Sequence, residues 1–343
     1  MNLPRVKLEH FLNLCDDTGV FQHALHRIPN RKEGYCTDDV ARAIVFLCRR
    51  LPVQQDPRAT RVLSMCMSFL HFAGRPDGAF HNFLSYDRRW QDEVGSEDSQ
   101  GRAIWAAGAA CTARVLGESA RAAAEELFRK SAARIAAFIS PRSCSFAMLG
   151  CALAHDIDPA RGMLKKGGDF LTALFKDVAN NNWRWFEPYL TYCNARIPEA
   201  LFQACHVLKN QEYRDVAEQA MQFLIEVMFD GDMLDLPGNH GWFEAGGRKS
   251  AFDQQPVEAG TMAEALVCAY RVTGSSEYLE RARQALMWYH GKNRVGAILI
   301  DPATGGCYDG LTPTGVNKNQ GAEAALSYLL ARAEYDAAAS ALI

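Results

Sequence analysis

The chain has 343 residues, of which 48% are hydrophobic and 22% charged, so it contains ample apolar material for a large core. Its formal net charge of −3 provides no basic surface, which argues against nucleic acid or an acidic membrane as a partner. No apolar run approaches the roughly 20 residues that span a bilayer, and the N-terminus has no apolar leader. The eleven cysteines lack metal-ligand spacing, so we expect reduced thiols, no metal site and a cytoplasmic location.

Taken in chain order, the sequence predicts about twelve helices and few strands. Helices begin after capping residues or at a proline, as at Thr37, Pro57 and Pro256. Turn residues at 74–80 precede an alternating segment at 81–86, which we predict to be a short hairpin strand. The predicted helices cover 5–17, 37–50, a stretch from 57, 97–116, 119–139, 143–155, 159–177, a stretch ending at 208, 212–229, 256–273, 276–290 and 319–335.

These helices form a repeating pattern. An apolar helix led by a polar cluster is followed by a more amphipathic, charged helix, and the leading helices start near residues 38, 97, 143, 187, 256 and 319. A helix that is apolar all round must be buried, whereas an amphipathic one keeps a solvent face. The pattern therefore predicts one all-α domain over 1–343, an (α/α)6 toroid of six inner and six outer helices. An open α-solenoid is the alternative, but the unequal loops count against it.

In such a ring the N-termini of the inner helices meet at one mouth, and most of the polar clusters would lie there. Their mixture of acids, amides and aromatic rings suits a sugar, because rings stack on C–H faces while polar groups bind hydroxyls. We predict a small oligosaccharide as the ligand, with no cofactor. The candidate substrate-binding residues are Asp38, Glu97, Gln100, Arg102, Trp183, Trp185, Tyr189, Arg196, His81, His240, Trp242, Gln255, Glu258, Asp309, Asn319 and Gln320.

Cleavage of a glycosidic bond needs two carboxyl groups in different environments, one protonated and one ionised. Glu187 follows Trp183 and Trp185, and apolar neighbours would raise its pKa, so it is the predicted proton donor. Asp98 or Asp39 is the predicted base. Asp253 is the third choice for a catalytic acid.

Each of these residues also has a structural interpretation. Acids such as Asp39 and Asp98 in a first helical turn can serve as caps and dipole partners. Tryptophans are commonly buried, a glutamate within a helix such as Glu258 can pair with an arginine, and loop histidines such as His81 and His240 are commonly surface residues. The recurrence of the clusters on five of six inner helices is what favours a site.

Four blocks resemble those of a bacterial family of glycosidase-like (α/α)6 toroids: Tyr35-Cys-Thr-Asp-Asp-Val-Ala-Arg-Ala43, Glu97-Asp-Ser-Gln-Gly-Arg-Ala-Ile-Trp105, Trp185-Phe-Glu-Pro-Tyr189 and Asn317-Lys-Asn-Gln-Gly-Ala-Glu323. Members of that family are often named glycosyltransferases, because some are fused to a transferase domain, and they tend to occur with mannoside-processing genes. The resemblance implies the toroid and a mannoside-related substrate. Transferase activity is not expected, since the chain has no Gly-rich phosphate loop and no nucleotide-sugar site.

Four functions follow from these observations. The first is hydrolysis of short mannose- or glucose-containing oligosaccharides, with inversion if the acids are widely spaced. The second is sugar epimerisation or isomerisation, which in toroid enzymes relies on histidine, although here no histidine heads an inner helix. The third is phosphorolysis, and the fourth is sugar binding without catalysis.

Overall fold

The computed structural model describes residues 3–341, and its helices alternate between two concentric layers. The inner helices are α2 (Thr37–Arg50), α4 (Glu97–Thr112), α6 (Pro141–Leu153), α8 (Arg196–Leu208), α10 (Pro256–Thr273) and α12 (Ala322–Ser340). The outer helices are α1 (Glu9–Asn13), α3 (Pro57–Ala73), α5 (Glu118–Ser131), α7 (Ala160–Val178), α9 (Gln211–Met228) and α11 (Ser276–Met287), with short 3-10 turns at Arg31–Glu33 and Ala132–Ala137.

The inner helices close into a ring. Each one packs on the next inner helix, and α12 packs back on α2. The predicted all-α (α/α)6 toroid is therefore confirmed, and the open solenoid is excluded because its two ends would not meet. None of the helices within 3–341 combines the length and apolar character needed to cross a bilayer.

Burial distinguishes the two layers as the sequence pattern predicted. All residues of α4 from 99 to 111 are buried, whereas the outer helix α5 buries only Ala124, Phe128 and Ser131. A helix surrounded by others needs apolar or small residues on every side, while an outer helix needs only one apolar stripe.

The strands are short and lie mainly in the long connections that lead into inner helices. Phe83–Leu84 pairs with Tyr35–Cys36, which confirms a strand within the predicted segment 81–86. The other pairs are Ala24–Leu25 with Ile28–Pro29, Tyr189–Leu190 with Phe243–Glu244, Phe229–Asp230 with Met233–Leu234, and Gly310–Thr312 with Gly315–Asn317. The long connections are 14–36, 74–96, 179–195, 229–255 and 288–321, and the short ones are 51–56, 113–117, 138–140, 154–159, 209–210 and 274–275.

Several helix bounds differ from the prediction. Helix α1 is shorter than 5–17, because the Asp16 side chain accepts N–H bonds from Thr18 and Gly19 and forms a turn instead. The fourth inner helix begins at Arg196 rather than near 187, since residues 189–190 pair as a strand and Cys193 has a positive φ of 49°. The predicted helix 119–139 ends at Ser131 and continues as a 3-10 turn.

A buried ion-pair cluster joins the inner helices below the mouth. We call Arg49, Arg196, Glu264, Glu334 and Trp105 the axial cluster. Glu264 accepts a hydrogen bond from Arg196 and one of 2.6 Å from Arg49, which also lies 3.3 Å from Glu334. The two guanidinium groups lie 5.5 and 4.8 Å from the centre of the Trp105 ring. The cluster thus connects α2, α4, α8, α10 and α12.

Helices α4 and α6 approach so closely that only glycine fits at Gly150. A Cβ atom there would lie 2.5 Å from the carbonyl oxygen of Ile104 and 2.8 Å from the Cα of Trp105. Gly162 on the outer helix α7 is exposed and would have no neighbour within 4 Å of an added Cβ.

These two glycines give a matched pair of variants. Gly150→Ala must push α4 and α6 apart, so we expect it to lower the free energy of unfolding by about 2–4 kcal/mol. Gly162→Ala should be neutral or stabilising by up to about 1 kcal/mol, because alanine favours helix. Urea titration followed by circular dichroism measures both, and equal stability of the two variants would contradict the close approach.

Candidate active site

One cavity of about 900 Å³ opens at the end of the ring where the inner helices begin. Residues from α2, α4, α6, α10 and α12 line it, together with Tyr192 just before α8. This mouth cavity confirms the expected convergence of the helix starts. The candidates that line it are Asp38, Asp39, Glu97, Asp98, Arg102, Gln255 and Asp309.

Asp38 and Asp98 share one arginine. Arg102 is buried in α4, and its Nε lies 3.2 Å from Asp38 and its Nη2 3.8 Å from Asp98. Asp98 also accepts a 2.6 Å hydrogen bond from the Ser143 hydroxyl, and Asn82 donates one of 3.0 Å to Asp38. Two carboxylates from adjacent inner helices are thereby held on one wall, with a cation between them.

A second arginine binds another pair of carboxylates. Arg42 on α2 donates a 2.7 Å hydrogen bond to Asp39 and another to Glu323 on α12. Burial raises the pKa of Asp39, against the attraction of Arg42. The Asp39 side chain is only 6% exposed, whereas that of Glu323 is 49% exposed and reaches the cavity.

Asp309 completes a crowded acidic wall. One of its oxygens accepts a 2.6 Å hydrogen bond from the backbone N–H of Gly321. Burial raises the pKa of Asp309, and the charges of Glu323 and Asp39 raise it further, although His23 lowers it. The walls of the cavity therefore place carboxyl groups in unlike surroundings.

Several contributors to the site were not among the predicted site residues. Arg42, Ser143, Tyr192, His23, Asn82 and Glu323 all line the cavity. The sequence contained a signal for Arg42. Asp38 and Arg42 have the same four-residue spacing on α2 as Asp98 and Arg102 have on α4. Tyr192 had no such signal, since it lies in an irregular loop.

Glu187 does not have the surroundings predicted for it. Its carboxylate accepts a 2.6 Å hydrogen bond from Arg142, and it is not among the residues that line the mouth cavity. Trp183 and Trp185 point into the core, where they pack on Phe223, instead of around the carboxyl group. The apolar environment expected for a proton donor is therefore absent at Glu187.

The side chains of four other candidates form hydrogen bonds within the protein that stabilise the fold. Gln100 bonds both backbone groups of Phe80, and Arg196 belongs to the axial cluster. Glu258 is buried and bonds Asn194. Glu97 lines the cavity, but its carboxylate accepts the N–H groups of Ile139 and Ser140 at the start of α6.

The remaining candidates lie outside the residues that line the cavity. His81 stacks on Trp90, while His240 is 75% exposed and lies 3.8 Å from Asp253. The Asn319 side chain accepts the backbone N–H of His26. The backbone oxygen of Gln320 lies 2.8 Å from the Nε2 atom of the His10 ring. Tyr189 and Trp242 are likewise not among the lining residues.

The chain is similar to known proteins in its fold. No protein-family model and no curated protein matches it. Among solved structures, a cellobiose 2-epimerase from Bacillus thermoamylovorans superposes with a TM-score of 0.74 at 11% identity, covering 98% of this chain and 96% of that one. A D-mannose isomerase gives 0.72 at 13% identity, covering 96% and 94%.

A GH76 α-mannanase from Bacteroides thetaiotaomicron gives a TM-score of 0.63 at 12% identity, covering 96% of this chain and 93% of that one. At these identities the similarity establishes the fold alone. The fold of this chain is thus one found in sugar-isomerising and in sugar-hydrolysing proteins.

The buried carboxyl of Glu258 predicts a pH-dependent stability. Burial raises its pKa to about 7, from a usual value of 4.5, so between these values the native chain holds a proton that the unfolded chain lacks. The free energy of unfolding must therefore fall as pH rises through this window. Glu258→Gln should reduce the fall between pH 4.5 and 7.5 by about 3 kcal/mol, as measured by urea titration. Parallel pH profiles for the two proteins would contradict this.

Proposed function

We propose that this chain is a carbohydrate-active enzyme, and specifically a glycoside hydrolase acting on short mannose- or glucose-containing oligosaccharides. The observation that carries the proposal is the set of carboxylates from α2, α4 and α12 that line one open cavity, each beside a buried arginine. Glycoside cleavage requires such acids in unlike environments. In this proposal the whole ring acts as one domain, and the partner is a small saccharide.

We assign Asp98 as the base and Asp309 as the proton donor. Asp98 is held by Ser143 and lies near Arg102, an arrangement that suits an ionised carboxylate next to an attacking water. Asp309 belongs to the crowded wall, where burial and neighbouring acids raise its pKa, as a proton donor requires. The two acids lie on different elements, α4 and the segment before α12, and both line the cavity. We therefore propose inversion, which uses two carboxyl groups about 6.5–9.5 Å apart with a water between them.

The charge of the cavity favours water over phosphate as the attacking group. Six carboxylates and two arginines line it, and both arginines already face carboxylates. A phosphate ion entering this cavity would meet uncompensated negative charge, so hydrolysis is favoured over phosphorolysis.

Sugar epimerisation or isomerisation is the second candidate. His23 is the one histidine among the described residues that line the cavity, and it lies near enough to Asp309 to influence its pKa. A histidine beside an acid can move a proton at a carbon next to a carbonyl. This candidate requires a reducing-end sugar in the cavity instead of an internal glycosidic bond.

A product assay separates these reactions. The protein is incubated with manno- and gluco-oligosaccharides, with and without phosphate, and the products are followed by proton NMR. We expect free sugar of inverted anomeric configuration that forms independently of phosphate. A sugar phosphate, an epimer or unchanged substrate would each select a different function and remove the hydrolase assignment.

Conservative variants test the roles of the acids. Asp98→Asn and Asp309→Asn should each lower kcat by at least about a hundredfold, because each removes a proton-transfer group. Asp253→Asn is the matched control, since that carboxylate is not among the lining residues, and it should retain near-normal kcat. A large loss in Glu187→Gln with normal Asp309→Asn would instead restore Glu187 as the donor.

A further inference from the structure

The turn at residues 191–194, here called the Tyr192 turn, carries Tyr192 to the edge of the mouth cavity. Cys193 within it is fully buried and has a φ of 49°, which lies in the left-handed region that side chains with a Cβ disfavour. Such a conformation persists only where surrounding contacts hold it. The Tyr192 turn must therefore be stabilised by neighbouring groups.

Glu258 binds the turn from α10. Its carboxylate accepts the backbone N–H of Cys193 and a 3.0 Å hydrogen bond from the Asn194 side chain. Both bonds are buried, and Glu258 itself is only 2% exposed. A buried N–H without an acceptor is costly, so the carboxylate is what makes the left-handed conformation of Cys193 favourable.

Arg142 binds the same turn from α6. Its guanidinium donates 2.5 Å and 3.1 Å hydrogen bonds to the carbonyl of Tyr192 and to the side chain of Asn194. It also lies 5.1 Å from the centre of the Tyr192 ring. The Asn194 side chain thus connects Arg142 to Glu258. Residues from two inner helices, α6 and α10, bind the turn.

The Tyr192 turn reaches the proposed base. Tyr192 and Asp98 both line the mouth cavity, and burial together with the charge of Asp98 raises the pKa of Tyr192. The turn also reaches Asp98 through Arg102, whose Nη2 lies 3.8 Å from the Cys193 thiol and 3.8 Å from the Asp98 carboxylate. Any shift of the turn would therefore change the surroundings of Asp98.

We infer that Glu258 is a positioning residue, which holds the surroundings of Asp98 in place through the Tyr192 turn without touching substrate. This rests on the proposed function in assigning Asp98 as the base. Glu258 was predicted to bind substrate, but it is buried and is not among the residues that line the cavity, so an indirect role is inferred instead.

A double-mutant cycle tests the connection. Glu258→Gln and Tyr192→Phe should each lower kcat by about tenfold with KM changed less than about threefold, because misplacement of a reacting group affects the chemical step. If Glu258 acts through Tyr192, the double variant should lose about tenfold as well, rather than about a hundredfold. Additive losses would overturn the inference.

A rescue experiment uses the conformation of Cys193. Glycine adopts a positive φ without steric cost, so Cys193→Gly in the Glu258→Gln background should restore kcat to within about threefold of the parent protein. Cys193→Ala is the matched control, because it removes the thiol but keeps the Cβ, and it should not rescue. Equal behaviour of the two double variants would overturn the inference.

Hydrogen exchange provides a readout that does not depend on turnover. Amide exchange in a peptide spanning residues 190–195 should become faster in Glu258→Gln. The glutamine amide has one oxygen where the carboxylate has two, so it cannot accept both the Cys193 N–H and the Asn194 side chain. Unchanged exchange would overturn the inference whatever the substrate. Faster exchange in a protein that turns over no sugar would support the role of Glu258 in holding the turn and would reject only the proposed function.

Discussion

The structure depends on charge buried inside the ring. In the axial cluster, Glu264 joins Arg49 and Arg196, so that α2, α8 and α10 meet through one carboxylate. Buried ion pairs cost more desolvation than they return unless every partner is present and well placed. Removing one partner leaves a buried charge, which is why this cluster fixes how far the inner helices can slide or separate. The inner helices whose first turns line the mouth cavity are joined by that fixed arrangement.

Arginine–carboxylate pairs also occur at the mouth of the ring, where they are less buried. Arg42, Arg102 and Arg142 each bind carboxylates that lie at or near the cavity, but these carboxylates remain partly open to solvent. Below the mouth the ion pairs are closed and structural. At the mouth they leave oxygens free to face a ligand, so that one chemical motif supplies both the frame and the site.

The fold was largely predictable because helical periodicity and capping are local properties. Asp38, Asp98 and Arg102 were also predictable as residues of the mouth cavity, since they lie in the first two turns of inner helices, and the direction of a helix start follows from the ring. Glu187 could not be placed in this way. Its chain pairs with the segment near 243 and then enters the Tyr192 turn, so neighbours in sequence such as Trp185 are not neighbours in space. Long-range pairing of irregular loops has no local sequence signal.

The connections between helices differ in length at the two ends of the ring, and the two ends have different roles. At the far end, connections such as 209–210 and 274–275 only reverse the chain, and their brevity leaves little room for variation. At the open end, the segments 74–96, 229–255 and 288–321 are long and carry their own strand pairs or bridges. Exchanging these segments between toroids of this kind would alter which ligand is admitted while the closed ring stays intact, so the scaffold and its selectivity are separable units for protein engineering.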